Sequence, residues 1–125
     1  MKHLTDIQDI EQTLTDHRLC LFYIKAPDCG VCNVMLDKVG RLAESHPSLC
    51  TFYTDVTEEL LIAGKFLVYS GPTVLLMLER KEVYRGSGFI NLEELDYSGI
   101  NVPLVAVCNV PPVAQCNVPP QKWLQ

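Results

Sequence analysis

Residues 18–32 read RLCLFYIKAPDCGVC, and the order of residue types in this stretch decides what the rest of the chain must be. Arg18–Ile24 is an almost unbroken apolar run of strand length. Such a run, without alternation, marks a strand buried on both faces inside a helix-covered sheet. Cys29 and Cys32 follow shortly after it, and then Met35, Leu36, Val39, Leu42 and Ala43 mark the inner stripe of a helix that Pro47 stops. The cysteine pair therefore stands at a strand-to-helix junction. Two thiols so spaced can hold a metal, staple a fold or exchange disulfides.

The same punctuation continues on either side. Leu4, Ile7, Ile10 and Leu14 recur at helical spacing, with Thr5 or Asp6 able to cap the first turn. LCTFYTDV (Leu49–Val56) reads as a second strand. Thr57, Glu58 and Glu59 then open a helix whose apolar side is Leu60, Leu61 and Ile62, with Gly64 as a weak point. TVLLML (Thr73–Leu78), a turn at ERKE and a short VYR strand form an antiparallel hairpin. Asn91 starts a last helix, with Glu94 as its capping partner. The alternation predicts an α/β domain, a mixed sheet of about four strands with helices on both faces, over residues 1–96.

Beyond Asp96 the composition changes. Residues 101–124 can be written as three eight-residue units, NVPLVAVC, NVPPVAQC and NVPPQKWL, and Lys122 is the only charged side chain after Asp96. Prolines at this density forbid a helix and disfavour a central strand, so 97–125 is expected to be a non-catalytic apolar tail, one that could pack on the domain, pack on a second copy of the chain, or stay disordered.

With 125 residues, 48% of them hydrophobic, the chain is sized for one domain with a genuine core. A net charge of −5 and the lack of any basic cluster exclude nucleic acid and anionic membranes as natural partners. The acidic, weakly apolar N-terminus carries no signal-peptide pattern, so the expected location is the cytoplasm. Cys20 and Cys50 lie within strand-like runs and read as small core residues. His3, His17 and His46 show no ligand spacing. A structural zinc site needs four ligands, a second close cysteine pair is missing, and His46 with Cys50 completes a set poorly, so no metal is expected.

Position favours exchange for Cys29 and Cys32. The free N–H groups and dipole of a helix's first turn stabilise an anion, and the thiolate is the reactive form of cysteine. Cys29 would sit at the mouth of the helix and attack. Cys32, one turn in, would resolve the mixed disulfide. Gly30 would let the chain turn between them.

The segments LFYIKAPDCGVC and SGPTVLLMLERKEVYRGSG resemble the thioredoxin family over roughly residues 4–96. That resemblance implies a thioredoxin-like fold, Cys29 as the attacking and Cys32 as the resolving cysteine, and a cis bond before Pro72. It also implies that Gly71 and Pro72, with Gly30 and Val31 between the cysteines, contact an extended substrate. It implies reduction of protein disulfides in cell redox homeostasis with no bound cofactor, the protein being recharged by a flavin-containing reductase or a low-molecular-weight thiol. Three departures stand out. Asp28 occupies the family's Trp position, Val31 replaces the proline between the cysteines, and Tyr23 stands where the family has a buried acid. Asp28 would oppose the Cys29 thiolate by like charge, and Tyr23 supplies no carboxylate for the resolving step. These departures keep a second function open, a weakly active binding or adaptor module that uses the Gly71–Pro72 groove.

Overall fold

In a computed structural model, which describes residues 1–27 and 29–104, five strands form one mixed sheet in the order β1-β3-β2-β4-β5. The strands are β1 (Lys2–His3), β2 (Leu19–Lys25), β3 (Cys50–Asp55), β4 (Thr73–Leu78) and β5 (Lys81–Ser87). β1 and β2 run parallel to β3, while β4 is antiparallel to β2 and β5 to β4. The short edge strand β1 is the one strand absent from the sequence reading, because two residues are too few to carry a hydropathy pattern.

The central strand β2 explains the two-sided architecture. Leu19, Leu21 and Tyr23 point to one face, with Met35, Val39, Val74 and Leu76. Cys20, Phe22 and Ile24 point to the other, with Ile10, Leu14, Phe52, Ile62 and Leu75. Successive side chains of a strand alternate faces, so an uninterrupted apolar run demands cover on both. The first face is covered by α2 (Gly30–Glu44), the second by α1 (Ile7–Asp16) and α3 (Leu61–Phe66).

Local chemistry sets the element ends. Asp6 caps α1 by accepting a 2.7 Å hydrogen bond from the Gln8 N–H. The hairpin β4–β5 turns through Glu79 and Arg80, both left-handed at φ 50° and 69°, which matches the twist two-residue hairpins favour. Arg80 is held there by the Glu11 carboxylate and the Thr15 hydroxyl. β5 begins at Lys81, so part of the ERKE segment expected to be turn is strand. The helix expected from Thr57 is shorter than its apolar residues suggest. α3 starts at Leu61, and only Ile62 of the expected trio is buried, Leu60 and Leu61 being 78% and 61% exposed.

The chain after Asn91 departs most from expectation. Asn91 accepts the Glu94 N–H at 3.1 Å and opens α4 (Leu92–Glu94), which continues as a π-helical segment, Leu95–Asn101. Helical structure persists to residue 104, and Ile100 and Leu104 are buried in the α2-side core. Gly99 permits this close approach: a Cβ there would lie 3.0 Å from Leu76 Cδ1. The packed domain thus reaches past the expected boundary at residue 96. Prolines are dense only from Pro111 onward, and between Asp96 and Leu104 Pro103 is the single one. Residues 105–125, where most of the expected tail falls, lie outside the described residues.

Candidate functional site

β2 delivers the chain to the C-terminal edge of the parallel strands, and α2 begins at once. Cys29 occupies the N-cap of α2 in an extended conformation, φ −109° and ψ 97°, with no side-chain capping bond. The Cys32 N–H closes back on the Cys29 carbonyl oxygen at 3.2 Å, and the positive end of the α2 dipole falls at the cysteine pair. Cys29 is bonded to Cys32, with Cα atoms 5.3 Å apart. The two sulfurs differ in access, Cys29 being partly exposed and Cys32 only 2% exposed.

The remaining predicted residues divide between this junction and the loop before β4. Gly30 is the first residue of α2; its φ is not positive, and a Cβ there would meet nothing within 4 Å. The expected conformational need for glycine at position 30 is thus absent, because the turn is made by the extended cap at Cys29. Val31 packs partly against the α2-side core. Asp28, proposed from the sequence as a tuning charge, lies outside the described residues.

Gly71–Pro72 is cis, as the resemblance implies. Thr73 Oγ1 donates to Ser70 O at 2.8 Å and the Gly88 N–H donates to Pro72 O at 2.9 Å, so the loop is tied to β4 and to the end of β5. Pro72 is buried and Gly71 only partly so. Gly71 presses on the strand-to-helix junction itself: a Cβ at this position would fall 2.7 Å from both Cβ and N of Ala26. This contact, not Gly30, is where the site requires a glycine. Ala26 was not singled out from sequence, since its role depends on which loops meet.

Tyr23 is fully buried beneath α2, and its hydroxyl donates a 2.6 Å hydrogen bond to the Cys32 carbonyl oxygen. Burial pushes its pKa well above the ordinary phenol value. It is a neutral donor that positions backbone, not a proton acceptor.

Two of the residues read as bland occupy the opposite end of the sheet. Cys20 and Cys50 face each other in register across β2 and β3, and His17, the C-cap of α1, lies beside them. The neighbouring Cys50 sulfur and burial raise the Cys20 pKa, while the proximity of Cys20, with Lys2 nearby, lowers that of Cys50. His46, considered from sequence as a partner of Cys50, instead bonds Asp96 at 2.7 Å and ties α2's exit to the C-terminal helix.

No family model matches the chain. Among curated proteins, it is 26% identical over 99 residues to the thioredoxin-like protein YdfQ of Bacillus subtilis, covering 77% of this chain and 88% of that one. It is 25% identical over 95 residues to a thioredoxin of Mycoplasmoides gallisepticum, covering 76% and 95%. Among solved structures, Fasciola hepatica thioredoxin superposes with a TM-score of 0.70 at 30% identity, over 79% of this chain and 96% of that one. Oxidised mitochondrial thioredoxin 3 of Saccharomyces cerevisiae superposes equally well, at 0.70, but with 21% identity speaks to the fold alone. A thioredoxin matched at 30% identity over nearly its whole length, together with a close Cys29–Cys32 pair at a helix N-terminus, identifies the chain as a member of the thioredoxin family, a thiol–disulfide oxidoreductase acting through a CxxC dithiol.

Proposed function

We propose that the protein reduces disulfides of other proteins, with Cys29 as the attacking and Cys32 as the resolving cysteine. The observation that carries this reading is the difference in access: the sulfur at the cap is partly exposed, the sulfur inside the first turn is 2% exposed. In the reduced protein the Cys29 thiolate attacks one sulfur of the substrate disulfide, forming a mixed disulfide and releasing the first substrate thiolate. Cys32, deprotonated, then attacks Cys29 sulfur, closes the Cys29–Cys32 bond and releases the second. Two electrons pass from the protein dithiol to the substrate, and both protons end on the substrate thiols.

The Gly71–Pro72 segment is the proposed rest for an extended substrate backbone, since Gly71 abuts Ala26 and offers no side chain. Gly30 and Val31 would border the same surface. A flavin-containing reductase or a low-molecular-weight thiol would return the electrons, and the cytoplasm is the proposed setting. Among the described residues no helix is long and apolar enough to cross a membrane.

Turnover of insulin disulfides, with NADPH and a thioredoxin reductase or with reduced glutathione, tests the reading. Catalysis above the Cys29→Ser/Cys32→Ser double variant is expected. Equal rates for the two proteins would remove the reductase assignment and leave a binding module.

A further inference from the structure

We propose that His17, Cys20 and Cys50 form a binding site for a single thiophilic cation, zinc(II) or copper(I), at the end of the sheet remote from the exchange centre. The site departs from the sequence expectation of no metal, and it uses a different histidine from the one weighed there.

The geometry is that of a ligand set. One ligand atom from each of the three residues lies within 4.8 Å of the other two. Zn–S bonds of about 2.3 Å and Zn–N bonds of about 2.0–2.1 Å require tetrahedral ligand atoms roughly 3.6–3.8 Å apart, so an inward movement of about an ångström completes the site. Two thiolates and an imidazole are the donors that soft cations select, and hard cations such as magnesium or calcium are not held by them. Three protein ligands leave a fourth position for water on zinc, or suit three-coordinate copper(I).

Three rigid elements position the donors. The in-register pairing of β2 with β3 fixes Cys20 beside Cys50, and the C-cap of α1 fixes His17. The His17 ring is already oriented by a second contact: Nδ1 lies 3.1 Å from the Thr13 carbonyl oxygen. The tautomer that donates there leaves the lone pair on Nε2, the arrangement by which backbone carbonyls commonly orient metal-binding histidines. The negative end of the α1 dipole also favours a cation at this point.

Binding replaces two S–H bonds with metal–sulfur bonds and releases two protons. Cys20 surrenders weak donation to the Thr13 and His17 carbonyls, each at 3.8 Å. Thr13 O keeps the backbone N–H of His17 at 3.2 Å, so it is not orphaned. Cys20 is buried, while Cys50 and His17 are partly exposed, which gives the cation a way in.

The test uses the full-length chain with Cys29, Cys32, Cys108 and Cys116 replaced by Ser, kept reduced and free of air. Cobalt(II) serves as the spectroscopic stand-in for zinc, and copper(I) is offered in competition with bicinchoninate. The expected result is saturation at one cation per chain. With cobalt it should bring thiolate-to-cobalt charge-transfer absorption and tetrahedral d–d bands, displaced by zinc. His17→Gln should weaken binding about tenfold or more, and Cys50→Ser should do the same while reducing the charge-transfer intensity. Both positions are partly exposed, so these variants keep the test open if Cys20→Ser fails to fold; circular dichroism checks each. Which cation saturates the site at the lower free concentration separates zinc from copper. The absence of saturable binding by both cations, or affinity unchanged in both His17→Gln and Cys50→Ser, overturns the site. So does a Cys20–Cys50 disulfide that closes in preference to metal binding, since the pair would then be a second dithiol.

Discussion

The Tyr23 hydroxyl donates a 2.6 Å hydrogen bond to the backbone carbonyl oxygen of Cys32. In the family pattern a buried acid at this position moves protons for the resolving cysteine. Here the same point in β2 anchors the first turn of α2 instead, with a group whose burial keeps it protonated. The first turn of the exchange centre is thus held by a neutral hydroxyl donor.

Tyr23→Phe should therefore cost stability without changing the chemistry's pH profile. Removing a buried hydrogen bond of this kind costs roughly 0.5–1.5 kcal/mol, measurable by urea denaturation of the oxidised protein. The raised pKa of Tyr23 means the phenol stays protonated below and beyond its ordinary value of 10. No proton is lost from it across the working range, and the resolving rate should titrate identically in both proteins. A pH–rate inflection that vanishes in Tyr23→Phe would make the phenol a proton carrier after all.

The division of labour between the cysteines is open to direct trapping. Cys32→Ser should form a stable mixed disulfide with a disulfide peptide through Cys29, whereas Cys29→Ser should form none at this pair. Intact-mass spectrometry followed by peptide mapping reads the position of the adduct. An adduct on Cys32 in the Cys29→Ser protein, at comparable rate, would reverse the roles despite the 2% exposure of Cys32.

What could be read from sequence was what short range determines. The apolar run of β2, the cysteine pair at a helix start and the Gly71-Pro72-Thr73 segment each announce themselves within a dozen residues. What could not be read was where distant segments meet. Tyr23 reaches Cys32 because β2 lies beneath α2, and His17, Cys20 and Cys50 converge only through the β2–β3 register. Leu60 and Leu61 misled for the opposite reason: hydropathy counts residues, but of the apolar trio the short α3 turns only Ile62 inward, beside Phe66 one turn on. Gly30 and Gly71 were both noticed, and only contact distances show which of them is required.

Gly71→Ala should damage the site more than Gly30→Ala. A methyl group at Gly71 would stand 2.7 Å from Ala26 Cβ and from its backbone nitrogen, and backbone cannot swing aside as a flexible side chain can. Overpacking of this kind costs about 1–3 kcal/mol, and here the displaced backbone leads directly to Cys29. Gly30 lies at the first position of α2 with open space around it, so alanine there should be neutral or slightly stabilising. Thermal unfolding and insulin reduction, measured on both variants, should separate them in the same direction. Equal behaviour would mean that the Ala26–Gly71 contact relaxes at no cost.

The C-terminal limit of the domain can be found by truncation. A chain ending at Asp96 loses Ile100 and Leu104, which are 0% and 1% exposed in the α2-side core, together with the close approach of Gly99 to Leu76. Full burial of one such aliphatic side chain stabilises by about 1.5–3 kcal/mol, so the pair contributes about 3–6 kcal/mol before the entropy of ordering the helix is subtracted. Single domains hold only about 5–15 kcal/mol in total. The shorter chain should consequently be close to unfolding, with a much lower urea midpoint and exposed tryptic sites around α2. A chain ending at Cys108 retains both buried residues and should unfold at nearly the midpoint of the full-length protein. If the chain ending at Asp96 instead matched the full-length midpoint, residues 97–104 would be dispensable cover and the composition break would mark the true edge of the domain.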